Sequence, residues 1–149
     1  MQFGDIALHI VSDGTYWKDG GGLFGLVPKM LWEQMATPDE HNRLCFNTRF
    51  LLIEAGQQRI LVDTGYGDKL SEEQRRFIKL EGRQRLLGDL ERLGIGPHDV
   101  DLIIITHLHG DRCGGNTSYA ADGELVLTFP RATYCVQRIE LADAHLPNE

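Results

Sequence analysis

The chain has 149 residues, of which 42% are hydrophobic and 25% charged, with a formal net charge of −7. That length suits one domain with a sizeable core. The acidic balance excludes nucleic acid or an anionic membrane as the main partner, because both select basic surfaces. The cysteines Cys45, Cys113 and Cys135 are odd in number, widely spaced and without a Cys-x-x-Cys pair. They indicate reduced, mostly buried thiols and no disulfide framework or cysteine zinc knuckle. The first residues carry no basic segment followed by an apolar stretch, and no apolar run approaches the ~20 residues that span a bilayer. The expectation is a cytoplasmic protein with no membrane partner.

In chain order, Ile6 to Val11 reads as a first strand, ended by Ser12-Asp13-Gly14. Thr15 to Arg43 follows as a long loop with Gly20-Gly21-Gly22, two prolines and both tryptophans. Glycine-rich backbone beside bulky side chains suits a mobile lid over residues 15–43. The alternative is a loop whose Phe24, Leu26, Met30, Leu31 and Trp32 plug the core. Phe50 to Ala55 and Arg59 to Val62, joined at Gly56-Gln57-Gln58, form a β-hairpin that ends in Asp63-Thr64-Gly65. Ser71 caps a helix, with Gln74 completing a capping box. Leu86, Leu87, Leu90 and Leu93 share one face of a second helix, which Gly94 ends. Pro97 to Asp99 is a short connector. Leu102-Ile103-Ile104-Ile105 is apolar at every position, which predicts a strand buried on both faces. Leu125 to Phe129 and Ala132 to Val136 are two further strands, and Ile139 to Ala144 begins a helix. Strands mixed with helices around a central strand indicate an α/β layered fold.

The central strand runs into Thr106-His107-Leu108-His109-Gly110-Asp111-Arg112-Cys113-Gly114-Gly115. Residues i and i+2 of an extended segment project to the same side, roughly 6–7 Å apart. His107 and His109 can therefore converge on one ion, and Asp111 continues the period with an oxygen ligand. Gly110, Gly114 and Gly115 let the backbone turn tightly around such a site. The carboxyl end of a central strand is where open α/β sheets place ligands. Imidazole and carboxylate suit zinc, and also iron or manganese.

This string resembles the His-x-His-x-Asp-His motif of the metallo-β-lactamase superfamily, and Asp63-Thr64-Gly65 resembles the aspartate that supports that family's metal loop. The resemblance spans the whole chain, and the long segment after the first strand is closest in kind to the lactonase-like and organophosphate-hydrolase-like branch. It implies half of a four-layer αββα sandwich, with residues 1–149 as the N-terminal portion of the domain. It implies that His107 and His109 bind a first metal, one of one or two zinc ions. Asp111 would bind a second and handle the proton of the attacking water, and Asp63 would orient the loop without ligating.

Two features depart from the family. Arg112 stands where the motif has its last histidine, and a guanidinium stays protonated and cannot ligate. It can pair with Asp111 instead, as a tolerated change or as a charge in place of the second metal. The chain also ends at Glu149, before the family's later ligands, and His145, the only histidine after the motif, matches none of them. A half sandwich exposes an apolar sheet face, which calls for a complementary C-terminal half or a homodimer. The expected function is a metal-dependent hydrolase of a small-molecule ester, lactone, amide or phosphoester. The alternative is a non-catalytic half-domain or scaffold with a degenerate metal site.

Overall fold

The computed structural model describes residues 1–82 and 85–146. Its elements, in chain order, are strand β1 (Gln2–Phe3), strand β2 (Ile6–Asp19), helix α1 (Gly20–Phe24), helix α2 (Lys29–Trp32), strand β3 (Arg43–Ala55) and strand β4 (Gln58–Val62). Helices α3 (Glu72–Phe77) and α4 (Arg85–Arg92) precede strand β5 (Leu102–Ile105) and the one-turn helix α5 (Gly110–Cys113). Strands β6 (Thr117–Tyr119), β7 (Leu125–Leu127) and β8 (Thr133–Val136) and helix α6 (Arg138–His145) follow. Short 3-10 turns occupy Pro97–Asp99 and Gly114–Asn116.

The main sheet has the order β1-β2-β3-β4-β5-β8, and β6 and β7 form a separate hairpin. Pairing is antiparallel from β1 through β4, then parallel between β4 and β5 and between β5 and β8. Parallel neighbours need a crossover, and the segment carrying α3 and α4 supplies the one between β4 and β5. The capping box expected at Ser71 is present, with Ser71 Oγ accepting from the Gln74 amide and Gln74 Oε1 from the Ser71 amide.

Side-chain alternation divides the sheet into two faces. One face is the core: Val11, Phe50, Leu52, Leu61, Ile103 and Ile105 pack with Leu86 and Leu90 of α4 and with Ile95, Val100 and Phe129. The other face carries Ile10, Leu51, Val62 and Ile104 in one cross-strand row and Leu8, Ile53, Ile60 and Leu102 in the next. Ile10 is 69% exposed and Ile104 38%. The expectation that β5 is buried on both faces is therefore corrected for this chain: Ile103 and Ile105 are covered and Ile104 is not. The continuous apolar run reflects a face that is apolar yet open, as a half sandwich requires.

The segment 15–43 also departs from a plain loop. Strand β2 continues to Asp19, because a bulge between Ser12 and Gly14 admits Asp13 as an extra residue and pairing with β3 resumes beyond it. The two short helices α1 and α2 follow. Among the five apolar residues expected to cover the core, only Trp32 is buried; Phe24 stacks on it at 4.9 Å, while Leu26, Met30 and Leu31 are exposed. Gly20 makes room for the indole, since a Cβ there would lie 2.4 Å from Trp32. The Leu125 strand pairs with β6 outside the main sheet. The thiols are free as expected, but Cys45 and Cys135 are exposed, contrary to the expectation of burial; Cys135 lies on the open sheet face. Among the described residues no helix is long and apolar enough to cross a membrane.

Candidate metal centre

Asp63 and the histidine string meet where β4 and β5 leave the sheet side by side. The Asp63 amide donates to the Ile104 carbonyl, and Thr64 bonds the Arg112 carbonyl through both its amide (2.7 Å) and its hydroxyl (3.2 Å). Gly65 and Cys113 form a parallel bridge. Two glycines make this contact possible. A Cβ on Gly115 would lie 2.2 Å from the Thr64 carbonyl oxygen, and one on Gly114 would lie 2.5 Å from that of Tyr66. Neither glycine has positive φ, so their role is close backbone approach and not the tight turning expected from sequence. Around Gly110 the space is open, with Tyr66 at 3.9 Å.

Asp63 has φ +61°, an uncommon conformation for a residue with a side chain, and the residue is 2% exposed. Its Oδ1 accepts the Thr106 amide at 2.8 Å, and the Thr106 hydroxyl lies 2.8 and 3.0 Å from its two oxygens. The same hydroxyl is 3.0 Å from Nδ1 of His107. The hydroxyl has one proton, which goes to the carboxylate, so it accepts from Nδ1–H of His107. That leaves Nε2 of His107 with a lone pair. The rings of His107 and His109 stand edge to face, 4.7 Å between centroids. The carboxylate–hydroxyl–imidazole chain is the kind of support that fixes a metal-ligating histidine in one orientation and tautomer. Asp63 thus acts on the motif through Thr106, a residue to which sequence reasoning gave no role; its hydroxyl is visible in the sequence, but its reach to Asp63 depends on the β4–β5 register.

Asp111 is 8% exposed. The Tyr16 hydroxyl donates to its Oδ2 at 3.1 Å, and Arg112 Nε lies 3.8 Å from the same oxygen. Arg112 Nη1 is 3.6 Å from Asp63 Oδ2, and the guanidinium lies over the Phe50 ring. Burial first, then the Asp111 charge, pushes the Tyr16 phenol up to about 12, so it stays a donor at neutral pH. Tyr66 packs edge to face on Tyr16 at 5.2 Å, and its phenol is likewise raised by burial. Tyr16 was missed from sequence because it reaches Asp111 only after the bulge of β2 redirects the strand. His145 is exposed on α6.

The donor set fits a metal in part. His107 and His109 place two imidazoles side by side, but Asp111 does not continue their period as expected, because the chain turns into helix α5 at Gly110 and carries its carboxylate to Tyr16. Among the described residues, no group of three His, Cys, Asp or Glu side chains is placed to hold one ion.

Residues 44–126 match the protein family described as the Metallo-beta-lactamase superfamily. A probable metal-dependent hydrolase from Staphylococcus aureus is similar in structure, with 33% identity, a TM-score of 0.89, and coverage of 99% of this chain and 52% of the other. The hydrolase AbOPH of the beta lactamase superfamily is similar at 26% identity and TM-score 0.72, over 96% of this chain and 45% of the other. An N-acyl homoserine lactone hydrolase with N-hexanoyl-L-homoserine bound at its catalytic metal center is similar at 25% identity and TM-score 0.63, over 95% and 52%. The chain spans about half the length of these structures.

Proposed function

The chain belongs to the metallo-beta-lactamase superfamily, and from that premise we propose that it supplies the first part of the active site of a metal-dependent hydrolase. The observation that carries this reading is the Asp63–Thr106–His107 chain beside His109. His107 and His109 hold the metal, taken as zinc with iron or manganese as alternatives. Further ligands come from outside the described residues, from a C-terminal half or a second copy seated on the open apolar face. When bound, such an ion polarises a carbonyl or phosphoryl oxygen and acidifies water.

This chain's own residues then position and accept. Thr106 holds His107 in the tautomer that leaves Nε2 for the ion. Tyr16 holds Oδ2 of Asp111, so a proton leaving the attacking water is accepted at Oδ1. The part of segment 15–43 beyond β2, with Leu26, Met30 and Leu31 exposed, serves as a lid over a small apolar substrate. Ester, lactone, amide and phosphoester bonds all suit this chemistry. The lactone is favoured, because the similar N-acyl homoserine lactone hydrolase holds its product at the metal.

The test is hydrolysis by full-length protein, loaded with zinc, of N-acyl homoserine lactones, aryl esters and a phosphotriester. Turnover of at least one is expected. The joint substitution His107→Ala and His109→Ala should reduce it by more than the 10–100-fold typical of lost outer-shell partners. Turnover that survives both substitutions contradicts the assignment. A second reading, a non-catalytic scaffold with a degenerate site, is favoured by Arg112 at a ligand position. Bound metal with no turnover anywhere in the panel would support it.

A further inference from the structure

We propose that the Arg112 guanidinium takes the place of a second metal ion, so that the assembled site holds one metal, on the side of His107 and His109. The inference rests on the metal-dependent reading above and adds a stoichiometry to it.

Two buried carboxylates flank the motif: Asp63, joined to His107 through the Thr106 hydroxyl, and Asp111, bonded by Tyr16. Burying carboxylates is costly, and a cation that faces them offsets part of that cost. Among the described ion pairs, that cation is Arg112 in both cases, at 3.6 Å from Asp63 and 3.8 Å from Asp111. Its side chain is held in place by packing on Phe50. Its Nε is buried and has no hydrogen-bond partner among the described residues. A guanidinium is therefore fixed between two acids, with donor capacity to spare, at the position where the family's motif has a histidine.

The consequences follow from its chemistry. Arginine cannot lose its proton in a protein and has no lone pair to give. It removes one ligand from a second site and places a permanent positive charge where a dication would sit. Like charges a few ångströms apart repel, and more so where they are partly shielded from water. Oδ2 of Asp111 is already engaged by Tyr16, which further reduces what that carboxylate can offer a second ion. The first position keeps its imidazoles: Thr106 meets His107 directly, and Arg112 approaches that chain only at its far end, 3.6 Å from Asp63 Oδ2.

The test compares full-length wild-type protein with Arg112→His, each equilibrated with excess zinc, freed of unbound metal and assayed for zinc per chain, with circular dichroism to check folding. One zinc in the wild type and two in the variant are expected. Two in the wild type would overturn the proposal. One in both would show that Arg112 is not what excludes the second ion. None in either would overturn the metal-dependent reading itself, a different failure. Should Arg112→His not fold, cobalt(II) titration of the wild type decides: visible absorption that saturates at one equivalent supports the proposal, and saturation at two refutes it.

Discussion

Asp13 and Asp63 are buried to almost the same depth, 3% and 2% exposed, yet their surroundings differ in kind. Asp13 is the extra residue of the β2 bulge, and its partners are backbone amides: Tyr66 at 2.9 Å, Gly67 at 3.1 Å and, more weakly, Leu86 at 3.4 Å. It fastens the loop after β4 to β2 and to the start of α4. Asp63 faces groups that themselves do chemistry or carry charge: the Thr106 hydroxyl that continues to His107, and the Arg112 guanidinium. Depth of burial therefore does not separate a fastening carboxylate from one that serves a site. The identity of the partners does.

The sharpest way to break the fastening role is at Gly65, which lies between the two acids. A Cβ there would lie 2.4 Å from Asp13 Oδ2, at a backbone φ of +78°. Clash and left-handed strain act together, so Gly65→Ala is expected to lower stability by about 4 kcal/mol, read from denaturant unfolding. A loss under about 1 kcal/mol would mean that Asp13 is free to move aside.

A second consequence is a pH signature. Burial, partly offset by the amide bonds, raises the Asp13 carboxyl to about 6, whereas its ordinary value is 3.8. The folded state therefore holds this proton more tightly than the unfolded state. Stability falls as pH rises between about 4 and 6, and the penalty is fully present above that window. The size is about 3 kcal/mol at most, from roughly 1.4 kcal/mol per pKa unit. Asp13→Asn removes this contribution, so the stability of wild type relative to Asp13→Asn should decline from pH 4 to pH 7. Parallel curves across that range would refute it.

Much of this arrangement is written locally. The histidine string needs only the i, i+2 geometry of an extended segment, and the Ser71 box and the leucine stripe of α4 are set within one or two turns. Asp63 is legible through its place after a strand. What escaped is set by pairing across the sheet. Tyr16 reaches Asp111, 95 residues away in sequence, because one bulge realigns β2 against β3. Thr106 bridges Asp63 and His107 because β4 and β5 run parallel in a particular register. Ile104 misled for another reason: an apolar strand reads the same whether its second face is covered by this chain or awaits another surface.

Asp63 acts through Thr106 on His107, while Asp13 only fastens. Zinc affinity of full-length Asp63→Asn and Asp13→Asn, measured against wild type by competition with a chelator, tests that most directly. Asp63→Asn should bind zinc 10–100-fold more weakly, in line with the loss of an outer-shell carboxylate, and Asp13→Asn should match wild type within about twofold, since a single asparagine oxygen still accepts the Tyr66 and Gly67 amides and only the weak Leu86 bond is lost. Equal losses in the two variants, or none in Asp63→Asn, would contradict the claim that the Asp63 chain organises the metal centre.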